Sequence, residues 1–387
     1  MESNVTMLTV VACHKWLLDF SFDNNTNLED VNDAFMTRNI GGIVLIGILT
    51  TFGILGNSLV LWIYLMRFRQ SNYRTYIIWL SSLDMVNCIG VMPFYFIYLC
   101  FPLIMESKYA CKIGRSGSYV ITLSSALLLI VIAGDRYRKI CTPNKKQLSG
   151  KQATKCCFIG LIMSVLLSWP TFVMFGKNAV EVGLNDLRGY RCLVADEYAD
   201  STYMKVFQVI MSTIALTVTI TLTLMYSLIV KGLYRHRKYF INAQGSIKSR
   251  EACPIPAEML DRSTRKSTMT LLAVTLCFIL SFLPHHVLAI AFFMNKTFEC
   301  SLGFSGGAAY YTFVWMVFFN TAADPVIYGF SDKRFRYELK RMCKGIRRGQ
   351  WSFKARRSER SMRSQRSPKS PHSAKSILGK RVHFSFE

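Results

Sequence analysis

Two carboxylates stand where lipid-soluble sequence would exclude them: Asp84 in LSSLDMV and Asp324 in NTAADPVIY. Ionisable residues at membrane depth are costly, and they mark ion sites, proton relays or polar networks. No lysine lies in the core of any apolar stretch, so both acids cannot stay ionised in a dry site. Three resolutions exist: protonation, a bound cation, or hydrogen bonds to Asn57, Asn320 and water. A small hard cation takes oxygen ligands, and Asp84, Ser125, Asn320 and Asp324 would make a sodium-type site with no other cofactor or metal. The plainer alternative is a neutral polar network that positions helices.

Other reactive residues are few. Asp135, Arg136 and Tyr137 close the apolar run LLLIVIAG. At a membrane rim an Asp135–Arg136 pair is modest in strength and able to let go, although simple snorkelling explains such charges too. His285 and His286 follow Pro284 and could hydrogen-bond a ligand amide or carboxylate; a core histidine is more often structural. No metal-ligand spacing such as HExxH occurs, and the buried acids have no nucleophile beside them, so a membrane enzyme is rejected.

The elements that carry these residues are apolar and long. Of 387 residues, 51% are hydrophobic. Seven stretches reach the roughly 20 residues that a spanning helix needs, at about 40–66, 76–101, 109–134, 153–175, 203–234, 267–294 and 308–330. The expected fold is an all-α membrane protein, a seven-transmembrane helix bundle. The loops after spans 1, 3 and 5 are rich in Lys and Arg, and those after spans 2, 4 and 6 are not. The bias predicts a multi-pass protein with its N-terminus outside and C-terminus cytoplasmic, for which the plasma membrane is the expected location. The opening MESNVTMLTVVACHKW lacks a cationic leader, so export is expected to depend on the first span. Sequons at Asn4, Asn24 and Asn295 fall outside in this topology and are glycosylation candidates. So do Cys13, Cys111, Cys192 and Cys300. Pairing Cys111 with Cys192 would pin the loop between spans 4 and 5 over the bundle mouth; Cys13 with Cys300 is a weaker pairing beside two free thiols.

The net charge of +24 is uneven. Residues 1–39 carry two basic and six acidic side chains, whereas residues 333–387 carry 18 Lys/Arg against three acids, a net of +15. Beside anionic lipid such a tail needs no nucleic acid, and none is expected. The chain divides into an extracellular N-terminus (1–38), a helical body (39–345) and a Ser/Arg-rich tail (346–387) expected to be disordered.

Taken together, these motifs resemble the rhodopsin-like (class A) G-protein-coupled receptors over about residues 38–345. The resemblance rests on Gly56-Asn57 in span 1, Leu80 and Asp84 in span 2, Cys111 and Asp135-Arg136-Tyr137 in span 3, Phe278, Phe282 and Pro284 in span 6, and Asp324, Pro325 and Tyr328 in span 7. FSDKRFRYELKRMC looks like the family's short amphipathic eighth helix, with Phe330 and Phe335 toward lipid and Cys343 a palmitoylation candidate. The family implies a ligand-operated switch: span 6 swings outward, Arg136 leaves Asp135 for the G protein or Tyr226, and Tyr226 and Tyr328 approach each other. It also implies arrestin and receptor kinases acting on the tail. The chain departs from the family at Phe282 (usually Trp), Val218 (usually Pro), Leu161 (usually Trp), Ala126 (usually larger) and Thr264, where an acid usually faces Arg136.

Amine receptors of this family place an Asp where this chain has Ser118, and opsins need a span 7 Lys where this chain has none. AVEVGL and RGYRCLV, joined by Asn185-Asp186, read as a β-hairpin lid, which the family's peptide receptors commonly have. Asp196, Glu197 and Asp200 could steer a basic peptide. The resemblance is thus greatest to neuropeptide receptors, with Ser118, Tyr119, Thr122, His285, His286, Tyr310 and Val314 as ligand contacts. Alternatives are a lipid or small non-amine ligand on the same fold, or a seven-span transporter, although no internal repeat supports the last.

Overall fold

Spans 2, 3 and 4 each begin where the sequence supplies a side-chain cap. In the computed structural model, which describes residues 17, 20, 22, 25–182, 187–199, 201–245, 262–295 and 298–347, seven helices are long and apolar enough to cross a membrane. They are span 1 Ile40–Arg67, span 2 Asn72–Cys100, span 3 Lys108–Cys141, span 4 Gly150–Met174, span 5 Thr202–Gly245, span 6 Arg262–Met294 and span 7 Phe304–Ser331. Ser71 Oγ accepts from Arg74 N, Ser107 Oγ from Ala110 N, and Ser149 forms a capping box with Gln152. Each cap satisfies an amide that the first helical turn leaves unpaired.

Several boundaries differ from the apolar pattern, spans 3, 5 and 6 most of all, with span 5 running on to Gly245. Span 3 continues seven residues beyond Gly134, to Cys141, and span 6 begins at Arg262. Helical backbone does not stop at the lipid edge; charged turns continue it into the polar layer. Asp135, Arg136 and Tyr137 are therefore inside a helix, not at its end.

Proline sets the local departures. Pro93 cannot donate to an i−4 carbonyl, and a π-turn at Asn87–Val91 lies just before it. Pro325 removes the bond that Thr321 O would otherwise receive, and Asn57 Nδ2 donates to that carbonyl at 2.9 Å from span 1. Here Asn57 does what neighbouring helices must do around a membrane proline. Gly56 makes this possible: a Cβ on it would lie 2.7 Å from the Pro325 ring.

The interior forms two apolar clusters. One surrounds Arg136, with Leu80, Leu129, Ile132, Leu222, Tyr226, Phe278 and Tyr328; the other lies at the Cys111 end, with Ile46, Met92, Tyr95, Trp315 and Phe318. Strands β1 (Phe175–Glu181) and β2 (Arg188–Val194) form the anticipated antiparallel hairpin, with Lys177 opposite Cys192; the predicted turn residues Asn185 and Asp186 lie outside the described residues. A helix that sequence reading did not anticipate, Leu28–Arg38, packs Val31, Ala34 and Phe35 against Leu103 and Val182. Asn32 fixes it, donating to Cys100 O at 3.1 Å and accepting from Leu103 N at 3.2 Å.

After span 7 an amphipathic helix runs Lys333–Arg347. Phe330 is 80% exposed as expected, but Phe335 is 2% exposed. Its ring stacks on Tyr64 at 5.9 Å, because Asp332 caps the helix and turns its first residues back on span 1. Phe335 therefore faces protein, not lipid. Cys343 is exposed and free.

Candidate functional site

Three layers of polar side chains run down the bundle. At the Arg136 end, Asp135 Oδ2 accepts from Arg136 at 2.5 Å and from Lys139 at 3.0 Å, and Asp135 Oδ1 accepts from Asn72 at 3.0 Å. Arg136 Nη1 donates to Ser267 Oγ at 3.3 Å. Asp135 is 0% and Arg136 2% exposed. The sequence suggested a weak pair at a half-solvated rim. Instead the pair is enclosed by protein, where removing one partner costs about 3–5 kcal/mol. Span 6 meets Arg136 through Ser267, not Thr264, whose carbonyl accepts from the Ser267 hydroxyl at 3.0 Å. Asn72, Lys139 and Ser267 were not anticipated. Lys139 had a signal, lying four residues after Asp135 on one helix face.

Tyr226 and Tyr328 are held apart. Thr275 Oγ1 donates to the Tyr226 hydroxyl at 3.0 Å, and that hydroxyl donates to Leu271 O at 3.4 Å, so Tyr226 is tied to span 6. Tyr328 donates to Asp324 Oδ2 at 3.4 Å. Tyr137 is half-buried beside the Arg136 cluster.

The middle layer brings Asp84 and Asp324 together, within hydrogen-bonding reach of each other, with Thr321 also reaching Asp84. Asn87 Nδ2 donates to Thr321 Oγ1 at 2.9 Å. Neither Asn87 nor Thr321 was singled out from sequence. Asp84 Oδ2, Asp324 Oδ1 and Asn57 Oδ1 are buried without a donor. Ser125 and Asn320 line a small cavity with Asn87, Thr321 and Thr122; Phe278 and Phe282, stacked at 4.3 Å, close one side. Asp84 and Asp324 do not themselves line this cavity; their unsatisfied carboxylate oxygens are the kind of ligand that a small hard cation takes.

At the third layer the Cys111–Cys192 disulfide joins span 3 to β2. Tyr119 packs on Phe175 at 5.8 Å and Phe207 at 6.1 Å. His285 Nδ1 bonds to Val314 O at 3.1 Å, and His286 meets Phe282 edge-on. Ser118 is half-buried on the same helix, and Tyr310 packs against Phe298, nearer the rim. Sequence reading missed Arg115, which donates to Cys192 O at 2.8 Å and lies over Tyr95 and Tyr98. Its spacing, four residues after Cys111, was the available signal. Asp196 is committed to the hairpin: it accepts from Asn178 Nδ2 at 2.6 Å and from Ala179 N at 3.1 Å. Cys13, Asn4, Asn24, Asp200 and the tail from residue 348 lie outside the described residues, and so does any Cys13–Cys300 pairing. Asn295 is exposed just after span 6.

These layers match a known architecture. The model for the seven-transmembrane receptors of the rhodopsin family matches residues 56–328. The chain belongs to the rhodopsin family of receptors. Its relatives are distant. The tachykinin-like peptides receptor 86C of Drosophila melanogaster is 24% identical over 366 residues, 86% of this chain and 68% of that protein. The neuropeptide CCHamide-1 receptor of the same organism is 22% identical over 78% of this chain and 60% of that protein. Human 5-hydroxytryptamine receptor 4 is 26% identical over 76% of this chain and 78% of that protein. Its seven spans and its family make it a multi-pass membrane protein, and the family, one of signalling receptors and not of enzymes, implies an extracellular ligand and a G protein as partners.

Proposed function

We propose that this receptor is activated by a peptide and signals through a heterotrimeric G protein, with its disulfide end outside the plasma membrane and its Arg136 end in the cytoplasm. The observation that carries the peptide reading is the β1–β2 hairpin, tethered to span 3 by Cys111–Cys192, with most of its side chains half-buried. Two of the similar receptors named above are peptide receptors, which supports the same reading. The third is a 5-hydroxytryptamine receptor, but Ser118 offers no carboxylate to an ammonium group. Activation would free Arg136 from Asp135 and Ser267 and part span 6 from span 3. A ligand needs only to bind the parted arrangement better by a few kcal/mol.

A sodium ion held by Asp84, Ser125, Asn320 and Asp324 would favour the resting arrangement. Replacing sodium by a large organic cation should then raise ligand-free signalling, and Asp84→Asn should abolish that response; a sodium response that survives the substitution refutes the site. Glycans on Asn4, Asn24 and Asn295, a palmitoyl chain on Cys343, lipid contact by the basic helix, and kinase and arrestin action on the tail complete the proposal.

A second reading has its own observation. The helix Leu28–Arg38 packs over the hairpin side of the mouth and narrows it, as suits a small or lipid ligand. A peptide-library screen in cells expressing the full chain, read by calcium and cyclic AMP and repeated with Arg136→Ala, separates the two. Peptide responses lost in the Arg136 variant support the proposal. Silence to every peptide with a robust response to a lipid overturns it.

A further inference from the structure

Arg115 is a cation in an aromatic cage. Its guanidinium carbon lies 5.0 Å from the centre of the Tyr98 ring, 5.4 Å from Tyr95 and 5.7 Å from Phe175. One Nη donates to Cys192 O at 2.8 Å, while Nε is buried without an acceptor. No carboxylate among the described residues forms an ion pair with it. The group reaches from span 3 to rings of span 2 and β1 and to the carbonyl of Cys192 on β2, on the side where the disulfide ties the hairpin to span 3. Rings around an arginine fix its plane and return part of its desolvation cost. They do not neutralise it. A guanidinium carries five donors in a planar fork matched to a carboxylate; here Cys192 O and Tyr95 take part of that fork, and Nε has no acceptor.

Other features of the molecule lead less far. The Asp84–Asp324 layer belongs to the site already described. Asp332, which accepts from Tyr64 and Tyr73, explains a structural joint. The hydroxyl stripe on span 5 is satisfied by its own backbone.

We infer that Arg115, held in place by the buried rings of Tyr95, Tyr98 and Phe175, anchors a carboxylate of the activating ligand, which enters beside the β2 strand. The inference rests on the ligand-receptor reading but not on the ligand being a peptide: the carboxylate can belong to an acidic or unamidated peptide or to a lipid acid. It also reverses the emphasis of the acidic loop residues. Asp196 is occupied by Asn178 and Ala179, whereas Arg115 has no carboxylate partner among the described residues.

The test uses the full-length receptor in cells and two probe sets. One is a peptide library made in matched forms, with a free or amidated C-terminus and with Asp/Glu or Asn/Gln. The other is a set of long-chain carboxylic acids with their primary amides. Active probes are expected to carry a carboxylate, and the matched neutral form should be weaker by about 30-fold or more, the usual result of leaving a buried charge unpaired. Arg115→Gln should erase that difference at normal surface expression, Arg115→Lys should retain part of it, and Arg115→Glu should prefer a probe whose acid is replaced by an amine. Active probes that are neutral, or an Arg115→Gln loss equal for acid and amide, would overturn the anchor and leave the peptide reading intact. Activation by lipid acids alone, lost in Arg115→Gln, would overturn the peptide reading and leave the anchor standing. If Arg115→Gln does not reach the surface, the acid-to-amide ratio on the unaltered receptor still decides.

Discussion

Ser267→Asp should strengthen the resting state. In the structure Arg136 Nη1 reaches a neutral hydroxyl at 3.3 Å, a long bond, and Arg136 Nε is buried without an acceptor. A carboxylate at position 267 would give the guanidinium a second charged acceptor while Asp135 keeps the first. Bonds to a charged partner are worth about 1.5–3 kcal/mol against about 1 kcal/mol for an ordinary one. The gain of about 1–2 kcal/mol applies only while spans 3 and 6 stay together, so it shifts the resting-to-active ratio by about 5–30-fold. The assay is ligand-free nucleotide exchange on a panel of G-protein trimers, in the native background and in Asp135→Asn, where basal exchange should be high enough for a fall to be read. Basal exchange should drop in both. Unchanged or increased exchange at equal surface expression would refute the reasoning that Ser267 is the span 6 half of the latch.

Further outcomes follow from the same geometry. Asp135→Asn removes the acceptor shared by Arg136, Lys139 and Asn72 and leaves two cations uncompensated; ligand-free exchange should rise more than about tenfold, given the 3–5 kcal/mol typical of a broken buried pair. Asn57→Leu leaves the Thr321 carbonyl unpaired beside Pro325 and should cost about 1–3 kcal/mol of stability, seen as a lower unfolding midpoint in detergent. Cys192→Ser opens a link spanning 81 residues; by loop-closure entropy the loss is about 4.5 kcal/mol, and mild reductant should lower the midpoint of the native receptor similarly.

Much of this was legible from the chain. Seven apolar runs gave seven helices, because in lipid the backbone has almost no other way to satisfy itself. Asp84 and Asp324 announced themselves by being costly. The hairpin followed from the alternation in AVEVGL, although β1 starts four residues earlier, at Phe175. What escaped has a common cause: long-range pairing leaves no local periodicity. Asn72 begins a helix and looks like turn sequence, yet it reaches Asp135 in another helix. Ser267 was missed because the family pattern pointed to Thr264, three residues away on a helix whose rotation the sequence does not fix. Phe335 looked lipid-facing by amphipathicity alone, until Asp332 set the angle of its helix. Arg115 was overlooked because an arginine near a membrane edge usually snorkels, and only packing shows rings around it.

The central claim is that Arg136, Asp135 and Ser267 hold spans 3 and 6 together until a G protein takes their place. Spin labels at Lys151 on span 4 and Met269 on the exposed face of span 6, in a Cys343→Ser background, measure this by pulsed electron resonance. With a nucleotide-free G protein and the Asp135→Asn change, the distance distribution should gain a longer population that Ser267→Asp suppresses. A single unchanged distance under all these conditions, despite G-protein binding, would contradict the account.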